Sequence, residues 1–461
     1  MTVSPRYQHA GLVLARVTTD PGDLDPPPYL NPADPAAVEQ EGRAWLAKVW
    51  ARPEVRDAVA LASPVLGARL DQIQSNGTTG PTAKELRRAV LSVASYMLRW
   101  QRRATPFGLF AGVGAVGVGR AMADVRSGHR VVARVDGEWL TTLIDRLERR
   151  LDLRPRLMVS VDDARIVRDG RVIVHTRAEV GASTPGPLRE SSVRLSRPVQ
   201  FVLNAADSPI RFDALADRMA AEFPSASPDK IHELLHGLVD AGVLITNLRP
   251  PMTNVDALTH LIDALRAAGA DSLDDIAAAL HDLDAISADL ARHNHTIDPD
   301  QARDIRAAVA TRMSALVPGV GPALAADVRV DATIALPERV LDEAARAATV
   351  LLATTTQPFG SAAWLDYHAR FLARYGPGAL VPVRDLLADS GLGYPTGYLG
   401  APRARPAWRV LTDRDAALLA LIQQATLTGS REIELTDADV EALTVGEHAD
   451  AVAPQRIELD E

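Results

Sequence analysis

A chain of 461 residues, 47% apolar and 24% charged, is long enough for several domains and has the balance of a folded soluble protein rather than a disordered one. It has no cysteine, which excludes disulfides, thiolate catalysis and any Cys-built zinc or iron–sulfur site. It has no run of apolar residues long enough to cross a membrane and no apolar signal-peptide core in residues 1–10, which together point to a cytoplasmic protein. The net charge of −9 is uneven: residues 79–160 hold 15 Lys or Arg against 7 Asp or Glu, a +8 stretch in a remainder of −17. That asymmetry reads either as a surface for a polyanion or as a locally Arg-rich face.

The first 30 residues read as an extended lead-in ending in Asp25-Pro26-Pro27-Pro28. Helical pattern starts at Pro35, capped by Asp34, and runs to about Ile73 with breaks near Pro53 and Pro64. After a loop at 76–80, a strong helix is predicted over 83–103, with Leu86, Val90, Val93, Ala94, Met97 and Leu98 as its buried stripe. Leu109–Val118 alternates glycine with apolar residues, as a closely packed strand does; Val131–Val135 is a strand and Trp139–Leu151 a helix. Arg165–His175 reads as a hairpin turning at Asp169-Gly170, and 176–192 as loop. Three short helical patterns and a closing strand over 197–246 have the order of a winged-helix module. Val255–Leu316 is Ala-rich helix and Val328–Leu336 a strand. Helices fill 338–374, loops run to Pro406, and a helix covers Asp413–Thr428. The expected fold class is α+β: a multi-domain mixed α/β chain with an embedded winged-helix-like peptide-recognition module and an Ala-rich helical segment. The expected division is 1–160, 161–250 and 251–461.

Three motifs carry candidate chemistry. Gly112-Val113-Gly114-Ala115-Val116-Gly117 fits G-x-G-x-x-G, but a helix precedes it where a strand is required, so the glycines are read as permitting close strand packing. His232-Glu233-Leu234-Leu235-His236 fits the zinc-peptidase pattern H-E-x-x-H on a helix. The apolar stripe of Ile231, Leu234, Leu235, Leu238 and Val239 puts both rings on the outer face, and no spacing rule selects a third ligand, His260 included. The third motif is Arg99-Trp100-Gln101-Arg102-Arg103-Ala104-Thr105-Pro106-Phe107-Gly108-Leu109-Phe110-Ala111-Gly112. Arg99 and Arg103, four apart, project from one helix face beside a Pro stop, where two guanidinium forks suit phosphate or carboxylate.

That stretch resembles the signature of the lantibiotic dehydratases in their N-terminal, glutamylating domain. Further segments agree in order: Val135-Asp136-Gly137-Glu138-Trp139-Leu140, Ser192–Ser196, Leu244–Thr253, Val330-Asp331, Phe371 with Arg374-Tyr375-Gly376, Val381-Pro382-Val383 and Gly391–Pro395. The resemblance implies transfer of glutamate from glutamyl-tRNA, a co-substrate, to Ser or Thr of a ribosomally made precursor peptide, with no metal and no resident cofactor. It implies Arg99, Arg103, Asp136 and Asp331 as catalytic residues. Arg87, Arg88, Arg99, Arg102 and Arg103 are the expected tRNA contacts. Arg171, Val172, Ile173, Val174 and His175 are the expected peptide-binding strand. The implied partners are glutamyl-tRNA, the leader of the precursor peptide, an elimination domain or protein, a lanthionine cyclase, and a second copy in a homodimer. The full family enzymes are longer, so a fragment, a split subunit or a degenerate copy is expected. A peptide- or tRNA-binding module without catalysis, and a peptide aminoacyl-tRNA ligase, stay open as alternatives.

Overall fold

A computed structural model describes residues 7–20, 22–75, 81–176, 189–320, 324–355, 362–388, 390–398 and 413–444. Strand β1 (Val13–Thr18) lies inside the lead-in, where alternation of Leu14, Arg16 and Thr18 is the only sequence sign of it. Helices α1 (Pro35–Trp50), α2 (Pro53–Ala62) and α3 (Pro64–Gln74) each begin on a proline, whose fixed φ suits the first turn and whose missing N–H costs nothing there. Asp34 caps α1, as its sequence suggests. Helix α4 (Ala83–Arg102) is closed at its start by a capping box of Thr82 and Glu85. These four helices wrap one core around Trp45, Leu46, Trp50, Leu70, Leu86 and Trp100.

After α4 come β2 (Ala111–Val118), β3 (Met122–Val125), β4 (Arg130–Val135) and α5 (Gly137–Glu148). The central sheet is completed from far along the chain by β11 and β12, described below, so the segments 1–160 and 251–461 share one sheet instead of forming separate bodies. Between them lies the embedded module: β5 (Met158–Val161), β6 (Ile166–Arg168), β7 (Arg171–Thr176), β8 (Arg189–Arg194), α6 (Arg197–Ala205), β9 (Ile210–Arg211), α7 (Phe212–Glu222), α8 (Pro228–Asp240) and β10 (Leu244–Thr246). It has its own core, including Val172, Val202, Phe212, Leu215, Leu235 and Leu244. The hairpin turns at Asp169 (φ 51°) and Gly170 (φ 68°), the left-handed pair a two-residue turn requires. The loop expected over 176–192 is strand from Arg189 onward; residues 177–188 lie outside the described residues.

The Ala-rich segment folds as α9 (Ala257–Ala267), α10 (Asp274–His295) and α11 (Pro299–Leu316), which pack with α5 into a third core. The strand expected over 328–336 is two: β11 (Leu324–Arg329) and β12 (Ala332–Leu336), broken at Val330-Asp331. Both run parallel to β2 on the edge opposite β1, end to end; β4 pairs β11 and β3 pairs β12, each antiparallel. Gly112 makes this possible, because a Cβ there would lie 2.2 Å from the Val328 carbonyl oxygen. The glycine pattern thus serves strand packing. Helices α12 (Glu338–Ala353), α13 (Ala362–Tyr375), α14 (Val383–Leu387), α15 (Asp413–Thr428) and α16 (Asp437–Leu443) follow; α14 and α16 fall where no helix is predicted. Among the described residues no helix is long and apolar enough to cross a membrane.

Candidate functional site

The C-terminal end of α4 is built by the stop that follows it. Gly108 takes a φ of 54°, turning the chain back so that Phe107 stacks 6.3 Å from Phe110. Phe110 stacks on Tyr96 at 5.5 Å and meets Trp100 edge-on at 5.1 Å. Strand β1 ties down the same corner: Thr18 Oγ1 donates to the Trp100 carbonyl at 2.7 Å, and Trp100 Nε1 donates to Thr19 Oγ1 at 2.9 Å. The helix stripe is as expected except at its end, where Leu98 is 51% exposed and Trp100 is 3% exposed. The aromatic corner and β1 cover the face that Trp100 occupies, one that helical spacing alone does not single out.

On the other face, Arg87, Arg88, Arg99, Arg102 and Arg103 are all exposed. Arg99 lies 5.9 Å over the Phe107 ring, a cation–π contact that spans the stop. Among the described residues, Arg87, Arg99, Arg102 and Arg103 have no carboxylate within ion-pair range; Arg88 is near enough to Glu85 to help hold that carboxyl below the usual range, after the Thr82 hydrogen bonds that do most of it. Four more arginines of the +8 stretch are held by carboxylates of the chain itself. Arg126 binds Asp124 and Asp331, Arg134 binds Asp327, Arg150 binds Asp152 and Asp275, and Arg154 binds Asp240. The cationic surface is therefore narrower than the sequence interval.

Beside this corner one face of the central sheet is exposed. Register places Arg16 opposite Val113, Val113 opposite Arg329, and Arg329 opposite Arg130, all exposed and on that face. Thr18, on the same side of β1, reaches the end of α4, so the Arg-bearing face abuts the Arg99–Arg103 corner. The three sheet arginines escaped the sequence reading, because pairing between strands some 300 residues apart is what gathers them.

Asp136 lies at the same end of the sheet. Val328 sits opposite Gly112, so Leu324 and its β4 partner Val135 reach the level of the 107–109 turn, two strand spacings or about 10 Å across. Its carboxylate caps α5, accepting the Glu138 N–H at 2.8 Å, and no described arginine pairs with it. The residue that the resemblance implies as catalytic is thus the N-cap of α5 in this structure. Asp331 is at the β11–β12 break, away from α4. Arg126 binds its carboxylate through Nε at 3.1 Å and Nη2 at 2.8 Å, and that guanidinium holds it below the usual carboxylate range.

In the embedded module, β7 is the central strand, with β6 on one side and β8 on the other. Strand addition at Arg171, Val172, Ile173, Val174 and His175 is therefore blocked by β8, which falls where loop is predicted; Val172 and Val174 belong to the module core. Among the described strands, β6 and β8 are the outer ones of this sheet. On α8 the two histidines are half-buried rather than on an outer face. His236 stacks on Phe212 at 5.0 Å, and Arg154 Nη1 donates to its Nδ1 at 3.2 Å; burial first, then Arg154, pushes its pKa down. Among the described residues no group of three or more His, Asp or Glu is placed to hold a metal ion. The H-E-x-x-H helix instead packs the module against the rest of the molecule through Arg154, which also binds Asp240.

The family model described as lantibiotic dehydratase, N terminus, matches residues 51–460. Subtilin biosynthesis protein SpaB of Bacillus subtilis is 28% identical over 324 residues, 68% of this chain and 30% of its own. Epidermin biosynthesis protein EpiB of Staphylococcus epidermidis is 21% identical over 319 residues, 68% of this chain and 31% of its own. Among solved structures, the tRNA-dependent lantibiotic dehydratase MibB from Microbispora sp. 107891 superposes with a TM-score of 0.73 and 31% identity, over 95% of this chain and 40% of that one. The glutamylation domain of TbtB from thiomuracin biosynthesis, 21% identical with a TM-score of 0.50 over 83% of this chain and 47% of its own, shares the fold. This chain spans about a third of the length of the curated relatives it matches.

Proposed function

The chain belongs to the lantibiotic dehydratase N-terminal family, and on that premise we propose that it performs or supports tRNA-dependent glutamylation of Ser or Thr in a precursor peptide. The observation that carries the reading is the corner where α4 ends: three arginines, Arg99, Arg102 and Arg103, without a described carboxylate partner, next to a sheet face bearing Arg16, Arg130 and Arg329. In this reading Arg87, Arg88 and Arg102 meet tRNA phosphates, while Arg99 and Arg103 face the aminoacylated ribose. The peptide hydroxyl adds to the glutamyl ester carbonyl, giving a tetrahedral oxyanion. Collapse breaks the bond to the ribose oxygen, which leaves with a proton, and the glutamyl group stays on the peptide. No covalent intermediate on the protein is needed. Fixed guanidinium forks suit both tasks, because they cannot lose their charge and grip oxygens two at a time.

The experiment measures tRNA binding and glutamyl transfer by Arg99→Ala and Arg103→Ala, in the chain together with any sequence that adjoins it in its gene. An arginine that stabilises the oxyanion is expected to spare binding and lower transfer by roughly 100-fold. One that meets phosphate alone is expected to weaken binding and flatten its salt dependence by about one unit of slope. Arg103→Lys should not restore transfer, since Lys lacks the planar fork. Parent-like binding and transfer in both Ala variants would make the corner a solvated helix end and remove the reading.

A further inference from the structure

We propose that the exposed ring of Phe107 is a stacking platform for the last, unpaired base of the tRNA, and that it sets the ribose of that nucleotide beside Arg99 and Arg103. The proposal deepens the function above and rests on it.

Phe107 is 46% exposed, and of the phenylalanines among the described residues it alone is exposed. The backbone does not call for it. Pro106 ends α4 and Gly108 supplies the φ of 54°, but nothing in that turn needs an aromatic residue between them. An apolar ring left in water forgoes the gain of burial, so its place at the turn has to be explained by what it meets.

The ring is the outer step of a series. Tyr96 and Phe110 lie 13° from parallel, and Phe110 and Phe107 lie 2° from parallel. Phe110 is buried, and the edge of Trp100 meets it at 90°. Trp100 is in turn tied to Thr19 through its Nε1. Phe107 therefore rests on a fixed backing, and a flat ligand laid on it continues a run of parallel rings. Bases stack on aromatic side chains in this way whatever their identity, because each has a π face.

Charge narrows the ligand. The Arg99 guanidinium lies 5.9 Å over the same ring, and Arg102 and Arg103 stand beside it, exposed and without a described carboxylate partner. An apolar peptide side chain would not need the cations, and a lone phosphate would not need the ring. A nucleotide uses both. Only an unpaired base can reach a platform of this kind, since the faces of paired bases are covered by their neighbours in the helix. Base and ribose share one bond, so a base on Phe107 leaves its ribose, and the glutamyl ester on it, next to the guanidinium over the ring. Holding the ester there removes freedom that the transfer step would otherwise have to overcome.

The test measures affinity for two glutamate tRNAs, one intact and one lacking only the base of its last nucleotide, with the protein used for the transfer assays. In the parent, loss of the base should weaken binding about tenfold. In Phe107→Ala the two tRNAs should bind alike, at the level of the baseless tRNA on the parent, with the salt slope unchanged because no charge is lost. Phe107→Leu keeps an apolar cover over Phe110 and should behave as Phe107→Ala does while its unfolding midpoint stays near the parent's. Phe107→Trp should keep the preference for the intact tRNA. An equal tenfold preference in parent, Phe107→Ala and Phe107→Leu would overturn the platform and make the ring a structural cover. Equal binding of both tRNAs to the parent would overturn it too, and would leave the glutamyl-transfer reading standing. A parent that binds neither tRNA would remove both.

Discussion

His293 on α10 shows how much one buried residue organises. It is fully buried, and Arg306 Nη1 points at its Nε2 at 2.9 Å. A guanidinium only donates, so Nε2 accepts and the neutral ring carries its proton on Nδ1, which donates to Asn294 Oδ1 at 2.8 Å. Asn294 then holds the outer edge of β4 by both groups of Ala133, at 2.8 and 3.0 Å, and Arg306 is anchored on Asp57 of α2. Burial pushes the His293 pKa down, assisted by Arg306 and opposed by the Asn294 bond and Asp57. The unfolded chain takes up a proton near pH ~6.5 while the folded one resists it. Stability from the neutral ring is therefore complete above that pH and is lost as pH falls below it. His293→Gln should flatten this dependence in urea unfolding measured from about pH 5 to 8, although His129 and His236, also pushed down by burial, preserve part of the slope. An unchanged slope would show that His293 titrates as in the unfolded chain. Glycine gives a second residue-scale prediction. Gly112→Ala should cost 1–3 kcal/mol or more, at roughly the cost of overpacking, because the clash is with backbone. In Gly117→Ala the new Cβ would lie 3.7 Å from its nearest neighbour, so a change within about 0.5 kcal/mol is expected.

Among the elements, α4 is the one most fully specified by local sequence. Its capping box, its stripe and its Pro-Phe-Gly stop all lie within 82–108. Thr82→Ala should lower stability by about 1 kcal/mol, read as a shift in unfolding midpoint, because the hydroxyl that accepts from the Glu85 N–H and donates to the Glu85 carboxylate is lost, while the Thr82 N–H keeps its bond to that carboxylate. The segment around α14 is the opposite case. Arg374 donates to the carbonyls of Ser390 and, at 3.1 Å, Gly391; Arg370 reaches Leu392 at 3.1 Å, and Tyr367 reaches Gly393 at 2.7 Å. Thus Arg374-Tyr375-Gly376 and Gly391–Pro395, separate motifs in sequence, become one clamp. Arg374→Ala should speed amide exchange over 390–393 and leave global unfolding little changed; protection equal to the parent's would mean the clamp holds nothing.

For the whole molecule, charge is the property that matters most. A net −9 chain repels polyanions in general, and a cationic helix face of limited extent then sets both where and how tightly one binds. Removing Arg102, which has no described ion pair, should lower the slope of log affinity against log salt by about one for tRNA. Removing Arg150, held by Asp152 and Asp275, should leave that slope unchanged. A filter-binding titration over several salt concentrations distinguishes the two.

Local sequence determined what depends on neighbours in the chain. It set the proline-led helices, the cap and stop of α4, the Asp169-Gly170 turn, the three-helix order of the module, and the Arg99–Arg103 pair. Each is decided within a turn or two by backbone sterics, capping or periodicity. The tertiary structure decided the rest, because it depends on partners far away. Alternation in β1 becomes meaningful only when β2 pairs with it, and the arginines of the sheet face meet only when β11 returns from beyond residue 323. Strand β7 reads as a hairpin edge until β8 covers it, which leaves β7 in the middle of the three described strands. A run of charge in sequence does not tell which cations find a carboxylate. That pairing is settled by folding, which gives carboxylate partners to Arg126, Arg134, Arg150 and Arg154 and, among the described residues, none to Arg99, Arg102 and Arg103 at the end of α4.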